Sequence, residues 1–251
     1  MASIEKEILR RSVNKPLTWK RFIDDVFCFW DTNKEEIEHF VEQANFYHPT
    51  IKFTAEVSQL ETTFLDTTVY KGERFKKESI LDVRTRYKPT ETIQYTNYNS
   101  SHPAGVKKGF VKGEGLRLLR TNSSKVMFEE NIKNFRTRLT WRGYPNDLVD
   151  KIISEVKFAE RDNLLTQTQK AHNRILSFVT QFHPSLPCLK NTLMEKWHLI
   201  QNKPLIREIY KDPPLISYRK GKSLKDMLVK AKLYRHFNIT IPFRILYIGD
   251  Y

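Results

Sequence analysis

The chain has 251 residues, of which 39% are hydrophobic and 12% aromatic, so it can bury a substantial core as one domain or two small ones. This composition excludes general disorder, and no apolar run has the length of a membrane span or the hydrophobic region of a signal peptide. The two cysteines are too few for a disulfide framework or a cysteine-rich zinc site, which predicts an intracellular protein of the nucleus or cytoplasm.

The positive charge is distributed unevenly along the chain, whose formal net charge is +14. Residues 1–100 carry 15 Lys/Arg against 16 Asp/Glu, whereas residues 101–251 carry 28 against 13. A basic half joined to a nearly neutral half predicts a polyanionic partner, most simply a nucleic-acid backbone. A generic basic surface on an intracellular protein is the alternative explanation.

Two adjacent aspartates, Asp24 and Asp25, interrupt a pair of aromatic and β-branched runs in residues 19–30. Folding this segment as a hairpin places both carboxylates at its tight turn, at the rim of a sheet. Clustered carboxylates are ligands for Mg²⁺, and paired Mg²⁺ ions stabilise the attacking and leaving oxygens in polymerases. Aspartate is also a common turn residue, so a purely structural turn is the alternative.

The segment after this hairpin predicts a helix, a strand and a second hairpin. The predicted bounds are a helix from Asn33 or Thr32 to about Tyr47, a half-buried strand over residues 51–57, and hairpin strands over residues 63–70 and 80–87 that turn around residues 71–73. Asp66 then falls within a strand, which favours a structural edge residue over a metal ligand.

Residues 107–142 are helical in pattern and basic, with ten Lys/Arg against three acidic residues. They predict a first helix with its core at residues 115–121 and a second over residues 124–142, and a third helix follows Pro145 and Asn146. Such a bundle suits either a polymerase thumb or a helix-turn-helix module. The expected phosphate contacts are Lys107, Lys108, Lys112, Arg117, Arg120, Lys125 and Lys133.

The following segment mixes short elements with a second basic stretch. Residues 181–186 predict a strand and turn, and residues 191–201 predict a helix. Residues 218–225 combine an aromatic side chain with several cations, a composition suited to phosphate or base contact. The expected contacts there are Arg219, Lys220 and Lys222.

Phe22-Ile23-Asp24-Asp25 resembles the aromatic-x-Asp-Asp palm motif of reverse transcriptases, and the downstream sequence resembles the Penelope-like retroelement branch. The stretches that carry this resemblance are residues 48–54, 63–69, 87–92, 101–103, 115–120 and 213–226. The resemblance extends over about residues 19–233. It implies an α+β fold in which a partial palm of antiparallel hairpins plus one helix is followed by a basic helical thumb or a helix-turn-helix-like bundle.

The resemblance also implies a domain order and an activity. The expected segments are residues 1–18, unlike the family; 19–100, a partial palm; 101–170, the thumb or helix-turn-helix-like domain; 171–233, a mixed helical connector; and 234–251, a divergent tail. By resemblance, Asp24 and Asp25 are catalytic residues that hold Mg²⁺ in an RNA-directed DNA polymerase. The upstream palm aspartate and the fingers have no counterpart in residues 1–18, so the isolated chain is expected to be inactive and its status as an enzyme stays open.

Three functional hypotheses therefore follow from the sequence. The first is a fragment of a retroelement polymerase that binds an RNA–DNA hybrid or duplex DNA, with a second chain as the supplier of the missing palm and fingers. The second is a non-catalytic nucleic-acid-binding protein of helix-turn-helix type. The third is a decayed element without function. None of the three involves a membrane.

Overall fold

The computed structural model describes residues 2–166, 176–183, 189–210, 212–219, 228 and 241–249. The helices are α1 (Ala2–Arg11), α2 (Lys34–Phe46), α3 (Glu73–Glu78), α4 (Ala104–Thr121), α5 (Lys125–Trp141), α6 (Asn146–Ile153), α7 (Arg161–Leu165), α8 (Leu189–Gln201) and α9 (Pro204–Ile209). The strands are β1 (Thr18–Phe22), β2 (Asp25–Trp30), β3 (Ile51–Ser58), β4 (Glu61–Phe64), β5 (Thr67–Tyr70), β6 (Asp82–Thr85), β7 (Ser177–Gln181), β8 (Leu215–Arg219) and β9 (Ile241–Gly249). This mixture is compatible with the predicted α+β class. No helix in the described part is long and apolar enough to cross a membrane.

The strands form three small sheets. The first has the order β1-β2-β9-β3, in which β1 pairs with β2 antiparallel and β9 pairs with both β2 and β3 parallel. The second is the antiparallel sheet β4-β5-β6, and the third is the parallel pair β7-β8. The predicted antiparallel hairpin at the start of the chain is therefore present, whereas the parallel strand β9 lies in the segment expected to be a divergent tail.

A hydrophobic core forms where one face of β2 packs against α2. Alternate residues of β2 point inward, and the cluster of buried side chains comprises Ile8, Val26, Cys28, Trp30, Ile37, Phe40, Ala44 and Phe53. Of the two predicted N-cap residues of α2, Asn33 and Thr32, the structure has Asn33, whose side chain accepts a hydrogen bond from the Glu36 N–H at 2.9 Å. Burial raises the pKa of the Cys28 thiol, so this cysteine is neutral and behaves as an apolar core residue.

The second predicted hairpin is present in part, because β5 pairs antiparallel with β6 as expected for residues 63–70 and 80–87. Residues 71–73 lead into α3 instead of forming a tight turn, and a further turn at residues 65–66, between the paired residues Phe64 and Thr67, joins β4 to β5. Asp66 therefore lies in a hairpin turn and not within a strand. The chain folds back early because Leu65 adopts a left-handed backbone conformation with φ 55°, which local residue preferences do not predict. On β3, Phe53 is buried, but Ala55, two residues further along the same face, is exposed.

The connection between α4 and α5 is fastened to the edge of β6. Ser123 exchanges hydrogen bonds with Val83: its N–H donates to the Val83 carbonyl at 2.8 Å, and its Oγ accepts from the Val83 N–H at 3.0 Å. The Asn122 side chain donates to Thr85 Oγ1 at 2.7 Å and accepts from the Thr85 N–H at 3.2 Å. These residues extend the antiparallel sheet by one backbone and several side-chain hydrogen bonds in place of a further strand.

Asp82 anchors the same junction. Its carboxylate is buried and accepts hydrogen bonds from Arg74 Nε at 2.6 Å and Ser123 Oγ at 2.7 Å. Burial alone raises the pKa of this carboxyl, but the hydrogen bonds from Ser123 and Arg74 outweigh that effect and hold the pKa below its ordinary value. A Cβ added at Gly72 would lie 2.2 Å from Asp82 Oδ2, so this glycine makes room for the carboxylate.

The depressed pKa of Asp82 predicts an acid-sensitive fold. At pH values above the pKa that Asp82 has in the unfolded chain, its carboxylate stabilises the folded state in full. This contribution is lost as the pH falls through the lower pKa that Asp82 has in the folded state. We expect the free energy of unfolding to decrease below about pH 4 in the wild-type chain and less steeply in Asp82→Asn, which is also less stable at neutral pH. Urea unfolding at a series of pH values measures this difference, and parallel pH profiles for the two proteins would contradict it.

The chain divides into two compact units. The first unit contains residues 1–94, 115–136 and 235–251, and the second contains residues 95–114 and 137–234. The division falls within α4 and within α5, so each of these helices contributes residues to both units. The domain bounds expected from the sequence stay predictions.

Candidate nucleic-acid interface

In the second unit, Tyr98 connects the beginning of α4 to the turn that follows α5. The Tyr98 N–H donates to the Arg142 carbonyl at 2.9 Å, and its ring lies 5.2 Å from the ring of buried Tyr144. On its other side, Lys107 Nζ donates to the Tyr98 carbonyl and lies 5.2 Å from the centre of the Tyr98 ring. One tyrosine thus joins two helical segments through a backbone hydrogen bond, an aromatic pair and a cation–π contact.

The turn between α5 and α6 consists of the four residues 142–145. Gly143 has φ +78°, the left-handed conformation that ends many helices, and its N–H donates to the Thr140 carbonyl at 3.0 Å. The Tyr144 N–H then reaches back to the Leu139 carbonyl at 3.1 Å. Pro145 occupies the N-cap position of α6, so the chain stops one helix and starts the next within one short turn.

A pair of glycine substitutions tests this turn. We expect Gly143→Ala to reduce the free energy of unfolding by about 1–2 kcal/mol, because a side chain disfavours the left-handed backbone there. Gly113→Ala is the matched control: it lies in α4, where an added Cβ meets nothing within 4 Å, and is expected to increase stability by about 0.5–1 kcal/mol. Thermal and urea unfolding measure both changes. An unchanged free energy of unfolding in Gly143→Ala would show that the turn accommodates a side chain at this position without strain.

The outward face of α4 combines cations with glycines. Lys108 and Lys112 are exposed one helical turn apart, and added Cβ atoms at the neighbouring Gly109 and Gly113 would meet no atom within 4 Å. Lys112 Nζ donates to Glu155 at 2.8 Å, and this hydrogen bond lowers the pKa of the exposed Glu155 carboxyl. Lys108 has no acidic partner within the described part of the chain. A backbone or phosphate group can therefore approach this face closely.

The remaining predicted contacts lie in varied surroundings. Arg117 Nη1 is 3.5 Å from Asp66, and Lys125 Nζ is 3.7 Å from Glu129 on the next turn of α5. The other predicted residues that the structure describes are exposed cations, namely Arg120, Lys133 and Arg219. Lys220 and Lys222 lie outside the described residues. The predicted phosphate contacts are thus dispersed over several elements, and only Lys108 and Lys112 share one glycine-lined face.

Residues 94–154 match the family model of the animal helix-turn-helix domain. The chain contains a helix-turn-helix region. The match begins just before Tyr98 and ends with α6, so it includes α4, α5, the four-residue turn and the Tyr98 contacts. It covers less than half of the chain and identifies this region alone. No curated protein and no solved structure shows significant similarity to the chain.

The last helix of the helix-turn-helix region presents a partly acidic face. In DNA-binding helix-turn-helix modules the second helix of the motif enters the major groove. Both α5 and α6 follow a short connection, and the exposed positions of α6 include Asp147, Asp150 and Lys151. Asp147 lies in the first turn, near the positive end of the helix dipole, where it stabilises α6. Both carboxylates repel phosphate groups. The charge of α6 is therefore unfavourable for insertion into a groove.

The two aspartates of the first hairpin lie in the first unit and differ in exposure. Asp24 is exposed in the turn. Asp25 is half-buried and lines a cleft of about 590 Å³ together with Asp66, Arg86 and Lys88, among other residues. Phe27, on the same face of β2 as Asp25, packs against Phe64 of the second hairpin at 5.7 Å between ring centres.

Two hairpin turns border this cleft, and they have the same local structure. Each consists of a phenylalanine, a residue with φ 55° and an aspartate: Phe22-Ile23-Asp24 in the first and Phe64-Leu65-Asp66 in the second. Both left-handed residues are apolar and exposed, Ile23 by 67% and Leu65 by 37%. A β-branched residue at positive φ is strained, and such strain concentrates at functional sites.

Proposed function

We propose that this protein binds nucleic acid through its helix-turn-helix region, and that the outward face of α4 contacts the phosphate backbone. The observation that carries the proposal is the pairing of Lys108 and Lys112 with Gly109 and Gly113 on that face. Lysines one turn apart provide two positive charges along one helix, and the adjacent glycines allow phosphates to approach the helix itself.

The charge of the region supports a polyanionic partner. Residues 94–154 contain 11 Lys/Arg against five Asp/Glu. Contact with phosphates releases condensed counterions, so such a surface binds nucleic acid without reading its sequence. The acidic residues of α6 favour α4 over α6 as the main contact, which differs from the common docking of helix-turn-helix modules.

The two aspartates of α6 provide a test of which helix binds. We expect Asp147→Asn/Asp150→Asn to leave the affinity for duplex DNA within about threefold of the wild-type value, because α6 lies away from the backbone in this arrangement. If α6 enters the groove, removing two negative charges should increase affinity about tenfold or more. Fluorescence anisotropy with a labelled duplex measures the affinity, and a tenfold gain would reassign the contact to α6.

A second and narrower function is favoured by the cleft around Asp25. We propose that the chain belongs to a Penelope-like retroelement RNA-directed DNA polymerase. Its support is the resemblance of residues 22–25 to the palm motif, the cleft that Asp25 lines and the strained turns at its border. The exposed Phe22 and Ile23 offer apolar contacts, and Arg86 and Lys88 offer cations, next to the carboxylates.

The residues present do not by themselves form a magnesium site. Within the described residues, no group of three His, Cys, Asp or Glu side chains is placed to hold a metal ion. Asp24 and Asp25 supply two carboxylates, fewer than the ligand set of a two-metal centre. The role of Mg²⁺ and the existence of a second chain that completes the palm stay predictions.

Primer extension tests whether the chain has polymerase activity by itself. With Mg²⁺ or Mn²⁺ and a primed RNA template, we expect no extension by the chain alone, together with binding of the same template. Extension by the wild-type chain that is abolished in Asp25→Asn would establish the polymerase and contradict the expected inactivity. Asp66→Asn serves as the control, because it removes a carboxylate from the same cleft outside the palm motif.

A further inference from the structure

The second unit contains a cavity of about 460 Å³ that none of the preceding sites uses. It lies between the beginning of α4, the end of β7, the first turn of α8 and the strand β8, and every residue that lines it belongs to this one unit. Its volume lies within the range of small-ligand pockets. No acidic residue lines it within the described part of the chain.

An aromatic pair forms one wall of the cavity. Phe182 and Tyr218 lie with their ring centres 5.4 Å apart and their planes inclined by 78°. In this edge-to-face arrangement each ring keeps at least one face that its partner does not cover. Tyr218 is 39% exposed, so its ring is accessible to a planar ligand. Ile216 and Pro214 extend this wall with apolar surface.

The other walls provide groups that attract anions. Lys190, exposed in the first turn of α8, lines the cavity, and His183 adds an imidazole beside Phe182. Gly105 and its neighbours at the beginning of α4 also line it, and nothing lies within 4 Å of a Cβ added at Gly105. A planar ring therefore has an aromatic surface to stack on, while a phosphate has a lysine within the same cavity.

We propose that this cavity binds one unpaired nucleotide of a single-stranded nucleic acid, with its base on Tyr218 and its phosphate at Lys190. A paired base is stacked inside its helix and does not expose its face, so the aromatic wall selects single strands. The inference rests on the proposed nucleic-acid binding and deepens it. It assigns an unpaired nucleotide to the second unit, separate from the duplex contact of α4.

The test compares single-stranded and duplex binding by the full chain. The probes are a fluorescent single-stranded DNA of about ten nucleotides and a blunt duplex of similar length. We expect Tyr218→Ala to lower single-strand affinity about tenfold or more, Tyr218→Phe to retain it, and Lys190→Gln to lower it severalfold with a smaller salt dependence. Duplex affinity should be unchanged in all three variants.

The outcomes separate this inference from the proposed function. If the wild-type chain binds duplex DNA and Tyr218→Ala leaves the single-strand affinity unchanged, the proposed nucleotide site in the cavity is overturned and the proposed function stands. If the wild-type chain does not bind duplex DNA but binds single strands in a way that depends on Tyr218, the duplex contact of α4 is overturned and the cavity proposal stands.

A measurement on the wild-type protein covers the case in which Tyr218→Ala does not fold. Photocrosslinking of a single strand containing 5-bromouracil should attach it to peptides that contain Phe182 or Tyr218. Attachment exclusively to other peptides would overturn the inference.

Discussion

Reversing two charges on α4, in Lys108→Glu/Lys112→Glu, is expected to lower the affinity for duplex DNA about 100-fold. Each substitution replaces attraction to a phosphate by repulsion, so the charge facing the backbone changes by four units in total. At contact distance in water each unit is worth about 1 kcal/mol, and salt screening reduces the sum. In addition, Lys112→Glu places a carboxylate beside Glu155, which loses its hydrogen-bond partner.

The matched control applies the same change of net charge elsewhere. Lys76→Glu/Lys77→Glu lies on the exposed α3, in the first unit and outside the helix-turn-helix region. We expect it to lower affinity no more than about threefold, through the long-range field alone. Both double variants change exposed helical lysines, so unfolding free energies should stay within about 1 kcal/mol of wild type. Equal losses of affinity in the two variants would show that net charge, and not the face of α4, determines binding.

Interrupting β9 is expected to reduce the free energy of unfolding more than the other substitutions do. β9 lies between β2 and β3, and Ile245 is paired with Val26 on one side and Ala55 on the other. A proline at this position removes a backbone N–H from the centre of the sheet and introduces a ring that the ladder does not accommodate. We therefore expect Ile245→Pro to reduce the free energy of unfolding by about 3 kcal/mol or more.

The control for this substitution keeps the backbone donor. Ile245→Val retains the N–H and a β-branched side chain, and should cost no more than about 1.5 kcal/mol. Urea unfolding of both variants measures the difference. Loss of β9 also leaves the facing edges of β2 and β3 unpaired, so Ile245→Pro should aggregate at lower protein concentration than wild type. Equal stability of the two variants would show that β9 does not contribute to the first sheet.

Local patterns in the sequence predict some elements closely. The apolar spacing and the cap residue Asn33 give α2 within one residue at each end, because both signals are contained in the helix itself. The same applies to α5, which is predicted over residues 124–142 and observed over Lys125–Trp141, with Phe128, Ile132, Phe135 and Leu139 buried. Both helices place one apolar face inward at a regular period, and packing then agrees with the local preference.

Elements that depend on distant contacts are predicted less well. The first part of α4 contains several glycines, which lower intrinsic helix propensity, so the sequence locates the core of this helix at residues 115–121 but not its first residue. The structure starts the helix at Ala104, and the Tyr98–Lys107 contacts hold this early part. β9 pairs with strands about 200 residues earlier in the chain, and no local pattern encodes a parallel partner at that separation.

The candidate sites also combine features that local sequence predicts with features that depend on distant contacts. The Asp-Asp turn and the basic helices are visible in the sequence as residue types and charge. Tyr98 is not, because a tyrosine in a polar segment gives no sign that it connects α4 to a distant turn. The left-handed Ile23 and Leu65 are also invisible, since neither glycine nor asparagine marks those turns. The sequence therefore predicts the chemistry available, and the structure shows which groups share a face or a cleft.

The salt dependence of duplex binding tests the central claim most directly. If α4 neutralises phosphates, the logarithm of the association constant should fall linearly with the logarithm of salt concentration, by about 0.9 for each phosphate contacted. We expect the slope of wild type to exceed that of Lys108→Ala/Lys112→Ala by about two units. Equal slopes for the two proteins, or no binding by wild type at about 50 mM salt, would contradict nucleic-acid binding through this face.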